Sequence, residues 1–564
     1  MGIPSIDIPN LGSLKKRYAE LNELVLNNDN FDSWLARWSE IEKMVCEARN
    51  ILQFQRYANT NDEVVAAQQA DYASTVTPFV AEENAKLRRK YFAFEHRPVG
   101  KLAEVDKGFE ADDLLHSPTN AALETQIVAA ASKFSEIKAQ ITVPLETESV
   151  SVGQAYLKMT VSDRAKQEKV WRTIKQAETI VAEDLDSLYL ELVNLRKTVA
   201  KGAGFANFRD FRWLELRRFG YTPDTCHTFT QALAEQLPPY LELVRTFRRD
   251  QIGVLELRPW DAVTSVFPNA HNAKTITINE TLDLTREILA SLDERLAVEY
   301  DSLRSAGRFD LEPRAGKASI MVAEYFPVSE TSYINMILNG HFADTKMFFH
   351  EVAHAVHFQV ARNNSLIWQQ PNSIEFTEFF AHFMELYALK MISTRFKDKV
   401  DEDLREIKFI YLDSILNQLA FCVTLDRLQH FVYAEHTGEL TAQEFKDKYL
   451  EIAEPLGIGY NWQGLHEERA LNRHFQHLYS HPFYFIEYGF AWVQALRMLK
   501  LLEQNPQQFE NLFRSLQLGG SIGTKELFEA AGIPFQFDEQ SVHEAMQSIT
   551  SLFSDVMSFS FSPN

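Results

Sequence analysis

The stretch Thr345–Phe358, T-K-M-F-F-H-E-V-A-H-A-V-H-F, constrains this chain more tightly than any other. Phe348, Phe349, Val352, Ala353, Ala355, Val356 and Phe358 make it apolar nearly all round at helical period, so it reads as a buried helix. It also carries His350, Glu351, His354 and His357, and buried ionisable groups need partners. His350 and His354 stand at i and i+4, one turn apart on one face, the spacing at which two imidazoles meet one tetrahedral ion. Glu351, beside the first histidine, can take a proton from a water that such an ion acidifies. His357 lies two turns from His350, about 10 Å along the axis, too far to share the ion, and is expected to pack beside the ligands. A pentapeptide of this type arises by chance in roughly one chain in thirty of this composition, so the apolar setting carries the weight.

A catalytic zinc needs a third protein ligand and an open fourth position. The next helix, Ser373–Ala388, offers Glu375, Glu378 and Glu385 among aromatic residues that would make an unpaired carboxylate costly. The spacings of other zinc peptidases would put the third ligand at Ile374 (thermolysin-like), Ser373 (aminopeptidase-like) or Val360 (metzincin-like), none of which can ligate zinc. Position alone leaves Glu375 and Glu378 both open.

The rest of the chain supports a mainly α fold. Only 21 Gly and 19 Pro punctuate 564 residues. Trp34, Trp38, Ile41 and Val45 recur at helical steps behind Asp32, which can cap the helix. Further helices are expected at 62–92, with an interruption near Pro78, and at 120–140, 163–201, 223–250, 281–306, 342–362, 374–394, 401–436, 441–452 and 481–503. Strand signals are confined to 140–161 and to two apolar runs, Ile320–Phe326 and Tyr333–Leu338, which predict a small sheet or hairpin just before the histidine helix. A boundary near Lys201-Gly202-Ala203-Gly204 would divide an N-terminal helical region, 1–200, from a catalytic region, 201–564.

A formal charge of −21 argues against nucleic-acid and anionic-membrane partners, which need a basic footprint. Cys46, Cys226 and Cys422 are too scattered for a disulfide framework or a thiolate metal site and fit a reducing compartment. Residues 1–11 lack the basic and apolar regions of a signal peptide, and no uninterrupted apolar run reaches membrane-spanning length, so a cytoplasmic location is expected.

Taken together, these residues resemble the thimet oligopeptidase and oligoendopeptidase F family of zinc metallopeptidases, nearest its Pz-peptidase-like bacterial branch. In that family a glutamate about 25 residues past the second histidine completes the site, and another follows seven residues later. Glu378 lies 24 residues beyond His354, and Met384-Glu385 follows at the right distance. The resemblance therefore selects Glu378 as ligand to one zinc per chain and leaves Glu375 and Glu385 as residues that support the ligands, a place that helix spacing also gives to His357. Leu195-Arg196 through Asp210, Leu257-Arg258-Pro259-Trp260-Asp261 and Arg314-Ala315-Gly316-Lys317-Ala318 look like further family blocks, the last preceding the apolar strands and Gly340. One departure is Ala353, where the family usually has glycine.

Residues 474–490, dense in His and Tyr, resemble the family segment whose histidine and tyrosines contact substrate. His477, Tyr484 and Tyr488 fall on its positions, and Phe485 replaces a common tyrosine. Tyr484, Tyr488 and His477 are then expected to bind substrate or stabilise an oxyanion, and His481 and Gly340 to contact the peptide. The resemblance implies a multi-helical fold with a deep substrate channel and an oligoendopeptidase acting on short unfolded peptides. Carboxypeptidase or dipeptidyl carboxypeptidase action by the same chemistry, or a non-catalytic helical binding protein, are the alternative readings.

Overall fold

The computed structural model describes residues 3–4, 8–98, 100–117, 119–146, 148–160, 163–267, 276–340, 342–395 and 402–557. Internal contacts divide the chain into two discontinuous units. Unit one comprises Met1–Leu114, Ala273–Asp398 and Gln494–Phe535; unit two comprises Leu115–Asn272, Lys399–Val493 and Gln536–Asn564. The boundary expected near residue 200 falls at the end of the helix Ala182–Gly202, inside unit two.

In unit one, the helix Phe31–Ala58 buries Trp34, Trp38 and Ile41 against Tyr91 and Phe109, with Trp38 stacked on Phe109 at 4.8 Å. Asp32 lies within the first turn of this helix, where an acid suits the helix dipole, and Asn30 holds the cap position instead. The helix Glu63–Ala93 runs unbroken through Pro78, because one buried stripe of Tyr72, Val76 and Val80 continues on both sides of it.

The small sheet lies where the apolar runs predicted it. Val322–Phe326 pairs antiparallel with Thr331–Asn335, which pairs in parallel with Phe309–Asp310 on its other side. Two side chains of the first long helix anchor the hairpin. Buried Glu47 accepts from the Val328 and Ser329 backbone N–H groups at 2.5 and 2.9 Å, and Asn50 donates to the Tyr325 carbonyl. Lys317 is buried under the same sheet, donating to the Asp310 carboxylate and to the Asp310 and Met336 carbonyls. The Arg314–Lys317 block is thus a structural fastener of the sheet. The histidine helix Phe342–Ala361 packs on this sheet, with Ser332 Oγ donating to the Ala355 carbonyl, and on the helix Ile374–Arg395.

Among its described residues, unit two is mainly helical, with a short hairpin of Thr142–Pro144 against Ser149–Ser151. Residues 152–160, expected to continue the alternation, form a helix. The helices Pro223–Ile252 and Glu402–His430 pack together, joined by the buried Arg245 and Arg248 on Asp413. Glu402–Glu435 is long and apolar enough by composition to cross a membrane, but 61% of its apolar window is buried within the protein. Buried Arg196 donates to Tyr433 Oη and to the Leu478 and Tyr479 carbonyls, tying the Leu195–Asp210 block to the His/Tyr segment. In the remaining block, Asp261 accepts from the Arg258 backbone and from Arg164. Helices at Ala103–Leu115, Gln508–Leu518, Thr524–Ala530 and Glu539–Met557 had no counterpart among the expected elements.

Candidate metal centre

The apolar faces of Phe342–Ala361 and Ile374–Arg395 bury against each other within unit one, and their ionisable residues converge. His350 Nε2 lies 3.1 Å from His354 Nε2, and Glu378 Oε2 lies 3.4 Å from the first and 3.8 Å from the second. Ligands of one tetrahedral zinc, at bond lengths of 2.0–2.1 Å, stand about 3.4 Å apart. Two imidazoles and one carboxylate at these separations match the donor set of a catalytic zinc with one position left for water or substrate. The group forms because i,i+4 spacing stacks the histidines on one face and the neighbouring helix presents Glu378 to it.

Around this trio, Glu385 does the orienting. Its Oε1 accepts from His350 Nδ1 at 2.7 Å and from His382 Nδ1 at 3.1 Å, while Lys346 Nζ lies 3.4 Å from Oε2. A hydrogen on Nδ1 of His350 leaves Nε2 with its lone pair toward the metal position. His350, His382 and Glu385 also meet the spacing for a metal, but the hydrogen bonds mark them as the support for His350.

The electrostatics agree with ligand chemistry. Burial would raise Glu378, but His350 and His354 pull it down to about 2. Burial likewise opposes, and Lys346 with the two histidines overcomes, so that Glu385 sits well below the usual carboxylate range. His354 is lowered to about 4 by burial, and is therefore a neutral donor. Burial would lower His350, but Glu378 and Glu385 hold it well above the ordinary histidine value, the mark of a ring held between two carboxylates. Glu351 behaves differently: burial pushes it up to about 7, with His350 and, less strongly, the Ala323 backbone of the adjacent strand opposing the shift. A carboxylate poised near neutrality suits a proton carrier.

Two residues expected to support the ligands lie elsewhere. His357 is buried among Phe358, Phe376 and Phe380, where burial lowers it to about 3, so it packs as a neutral ring. Glu375 accepts from Ser373 Oγ at 3.1 Å, at the start of its helix, and belongs to neither metal-spaced group. Gly340 adopts a left-handed φ of 84° just ahead of the histidine helix, and its carbonyl accepts from Ile276 N–H. His382 and Lys346 were missed by the sequence reading. Their signal was positional: His382 falls at i+4 from Glu378, and Lys346 at i−4 from His350.

In unit two, the His/Tyr segment gathers as a cluster. The His477 ring lies 6.0 Å from those of Tyr484 and Tyr488, which are 5.3 Å from each other, and exposed His481 is 6.1 Å from Tyr484. Phe485 is buried, its ring edge-on to His477.

A model of peptidase family M3 matches residues 157–547, more than two thirds of the chain. The chain belongs to peptidase family M3. This M3 peptidase is similar in fold to a protein assigned to oligoendopeptidase F, at 20% identity and TM-score 0.87 over 98% of this chain and 99% of that one. It is equally similar to PZ peptidase A solved with an inhibitor, at 21% identity and TM-score 0.87 over 98% of each chain. The oligoendopeptidase F of Enterococcus faecium matches at 14% identity and TM-score 0.64 over 96% of each chain. No curated relative matches by sequence. Family M3 peptidases depend on a metal, and the trio of His350, His354 and Glu378 fits one.

Two expectations arise at this site. Glu385→Gln keeps the shape but not the charge that orients His350, and should weaken metal binding by about 10- to 100-fold. Competition with a chelating dye measures this, and an unchanged affinity would show that His350 needs no such partner. Ala353 is buried within the histidine helix. Ala353→Gly, which restores the usual family residue, should cost about 1 kcal/mol through helix propensity and show as a lower thermal midpoint. A gain in stability would mean that a close backbone approach, not helix propensity, governs the position.

Proposed function

We propose that this M3 peptidase is a zinc-dependent oligoendopeptidase that cleaves internal bonds of short unfolded peptides. The observation that supports it most is the convergence of His350, His354 and Glu378 beside Glu351, a buried carboxylate poised near neutral pH. A zinc ion held by that trio would supply an acidified water and a Lewis-acid contact for the scissile carbonyl. Glu351 accepts the proton of the attacking water and returns it to the leaving amine. Glu385 fixes the His350 ring through its Nδ1 hydrogen bond. Tyr484 and Tyr488, with His477, hold the peptide and donate to the oxygen that becomes negative during attack, with His481 and Gly340 as further peptide contacts. The wide separation of Cys46, Cys226 and Cys422 in the sequence supports a cytoplasmic setting.

Cleavage of a peptide library with free and amidated C-termini, read by mass spectrometry, tests the reading. Internal cuts in both sets, with folded proteins left intact, are expected. Because the deep channel implied by the family resemblance is part of the proposal, cleavage should also fall off with substrate length. Cuts confined to the last one or two residues of free peptides would make the enzyme a carboxypeptidase or dipeptidyl carboxypeptidase. The absence of any cleavage by zinc-loaded protein would leave a binding protein.

A further inference from the structure

Just ahead of Tyr484, the backbone of unit two takes a conformation that its sequence does not favour. Phe483 has φ of +63°, in the left-handed region that bulky side chains rarely enter. The peptide groups around it are held by side chains from distant parts of the unit. Arg212 Nε donates to the Pro482 carbonyl at 3.0 Å. The Phe483 N–H donates to Gln429 Oε1 at 2.5 Å, and the Phe483 carbonyl accepts from Arg218 Nη2 at 2.6 Å.

Each of the two central partners is itself fixed. Gln429 is buried, and its Nε2 donates to the Leu425 carbonyl at 2.9 Å, which sets the orientation of the amide. Arg218 is buried too, and forms a fully buried ion pair with Glu487 at 2.7 Å while its guanidinium lies over the Trp213 ring. The backbone N–H of Glu487 in turn donates to the Tyr484 carbonyl at 3.0 Å. The ring of Phe483 is buried edge-on to His430 at 5.4 Å, which explains why glycine does not stand there: the ring anchors the turn that the hydrogen bonds hold in shape. A non-glycine residue persists in this region only where its surroundings over-determine it, and such strain gathers at sites that need fixed geometry.

We propose that Gln429 and Arg218 are positioning residues, which clamp Phe483 in its left-handed turn and so set the placement of Tyr484 and Tyr488 for catalysis. This rests on the reading that the two tyrosines contact the reacting peptide. The clamp acts on the direction in which the helix Ile486–Gln504 starts and hence on where the two phenol groups stand. A displacement of the order of 1 Å is enough to lower turnover strongly without abolishing binding.

The test is a double-mutant cycle on the zinc-loaded, full-length protein. Gln429→Met keeps the side-chain length but removes the acceptor. It should lower kcat about tenfold, leave KM within about twofold, and leave zinc content unchanged. Tyr484→Phe with Tyr488→Phe should lower kcat, and adding Gln429→Met to that pair should lower it by less than about twofold more. Arg218→Lys keeps the charge facing Glu487 but loses the forked contact, and should repeat the pattern if Gln429→Met folds poorly. A full tenfold further loss in the background lacking both phenols, or wild-type kcat in Gln429→Met and Arg218→Lys, overturns the clamp while leaving the tyrosine reading intact. Wild-type kcat in the double tyrosine variant overturns the tyrosine reading, and the clamp with it.

Discussion

Glu351→Gln is expected to lower kcat by about 10²- to 10⁴-fold while the protein keeps its full complement of zinc. Glutamine fills the same volume in a fully packed helix, so the fold should hold. Its amide has no basic site, however, and cannot take a proton from water. The metal trio of His350, His354 and Glu378 does not include Glu351, so metal content should not change. The same residue fixes the sign of the acid limb in the pH profile. Its carboxylate is raised to about 7 by burial, and activity needs it ionised, so kcat/KM should fall as pH drops through its pKa. A divalent cation on the adjacent histidines stabilises the ionised form, which places that limb at or below neutrality. Steady-state kinetics across pH 5–8, with metal analysis of both proteins, checks both statements. A variant that keeps wild-type turnover, or one that loses its zinc, would remove Glu351 from the role of base.

The parts legible in the sequence were those set by short-range periodicity. The histidine helix, the hairpin before it and the i,i+4 face all follow from spacing of a few residues, and they appear where the spacing puts them. What spacing could not supply was the choice between Glu375 and Glu378, since that depends on how one helix lies against another. The geometry separates the two: Glu378 comes within 3.4 Å of His350, whereas Glu375 meets Ser373. At His357 spacing excluded a shared ion and left support of the ligands and packing both open, and the ring packs against phenylalanines. Periodicity did mislead at Pro78, because tertiary burial outweighed the lost backbone bond. The two discontinuous units had no sequence signal at all: each is assembled from three separated segments, and no linker composition marks the crossings.

Glu378→Ala is expected to cost more in metal affinity than any change to a supporting residue. Losing a hydrogen-bond partner of a ligand typically weakens binding by about 10- to 100-fold, and losing a ligand must exceed that. Two imidazoles alone make a poor zinc site, because charge neutralisation and the third corner of the tetrahedron go together. Glu378 is buried and held ionised at about 2, so it stands ready as an anionic donor and competes poorly for protons at neutral pH. Glu378→Asp should bind better than the alanine variant yet below wild type, since the shorter side chain withdraws the oxygen that now lies 3.4 and 3.8 Å from the two histidines. Glu375→Ala is the control: it removes a carboxylate from the same helix and should leave zinc stoichiometry unchanged. Elemental analysis after dialysis against a weak chelator reads all three variants on one scale. If Glu375→Ala loses its metal and Glu378→Ala retains it, the third ligand has been assigned to the wrong turn of the helix.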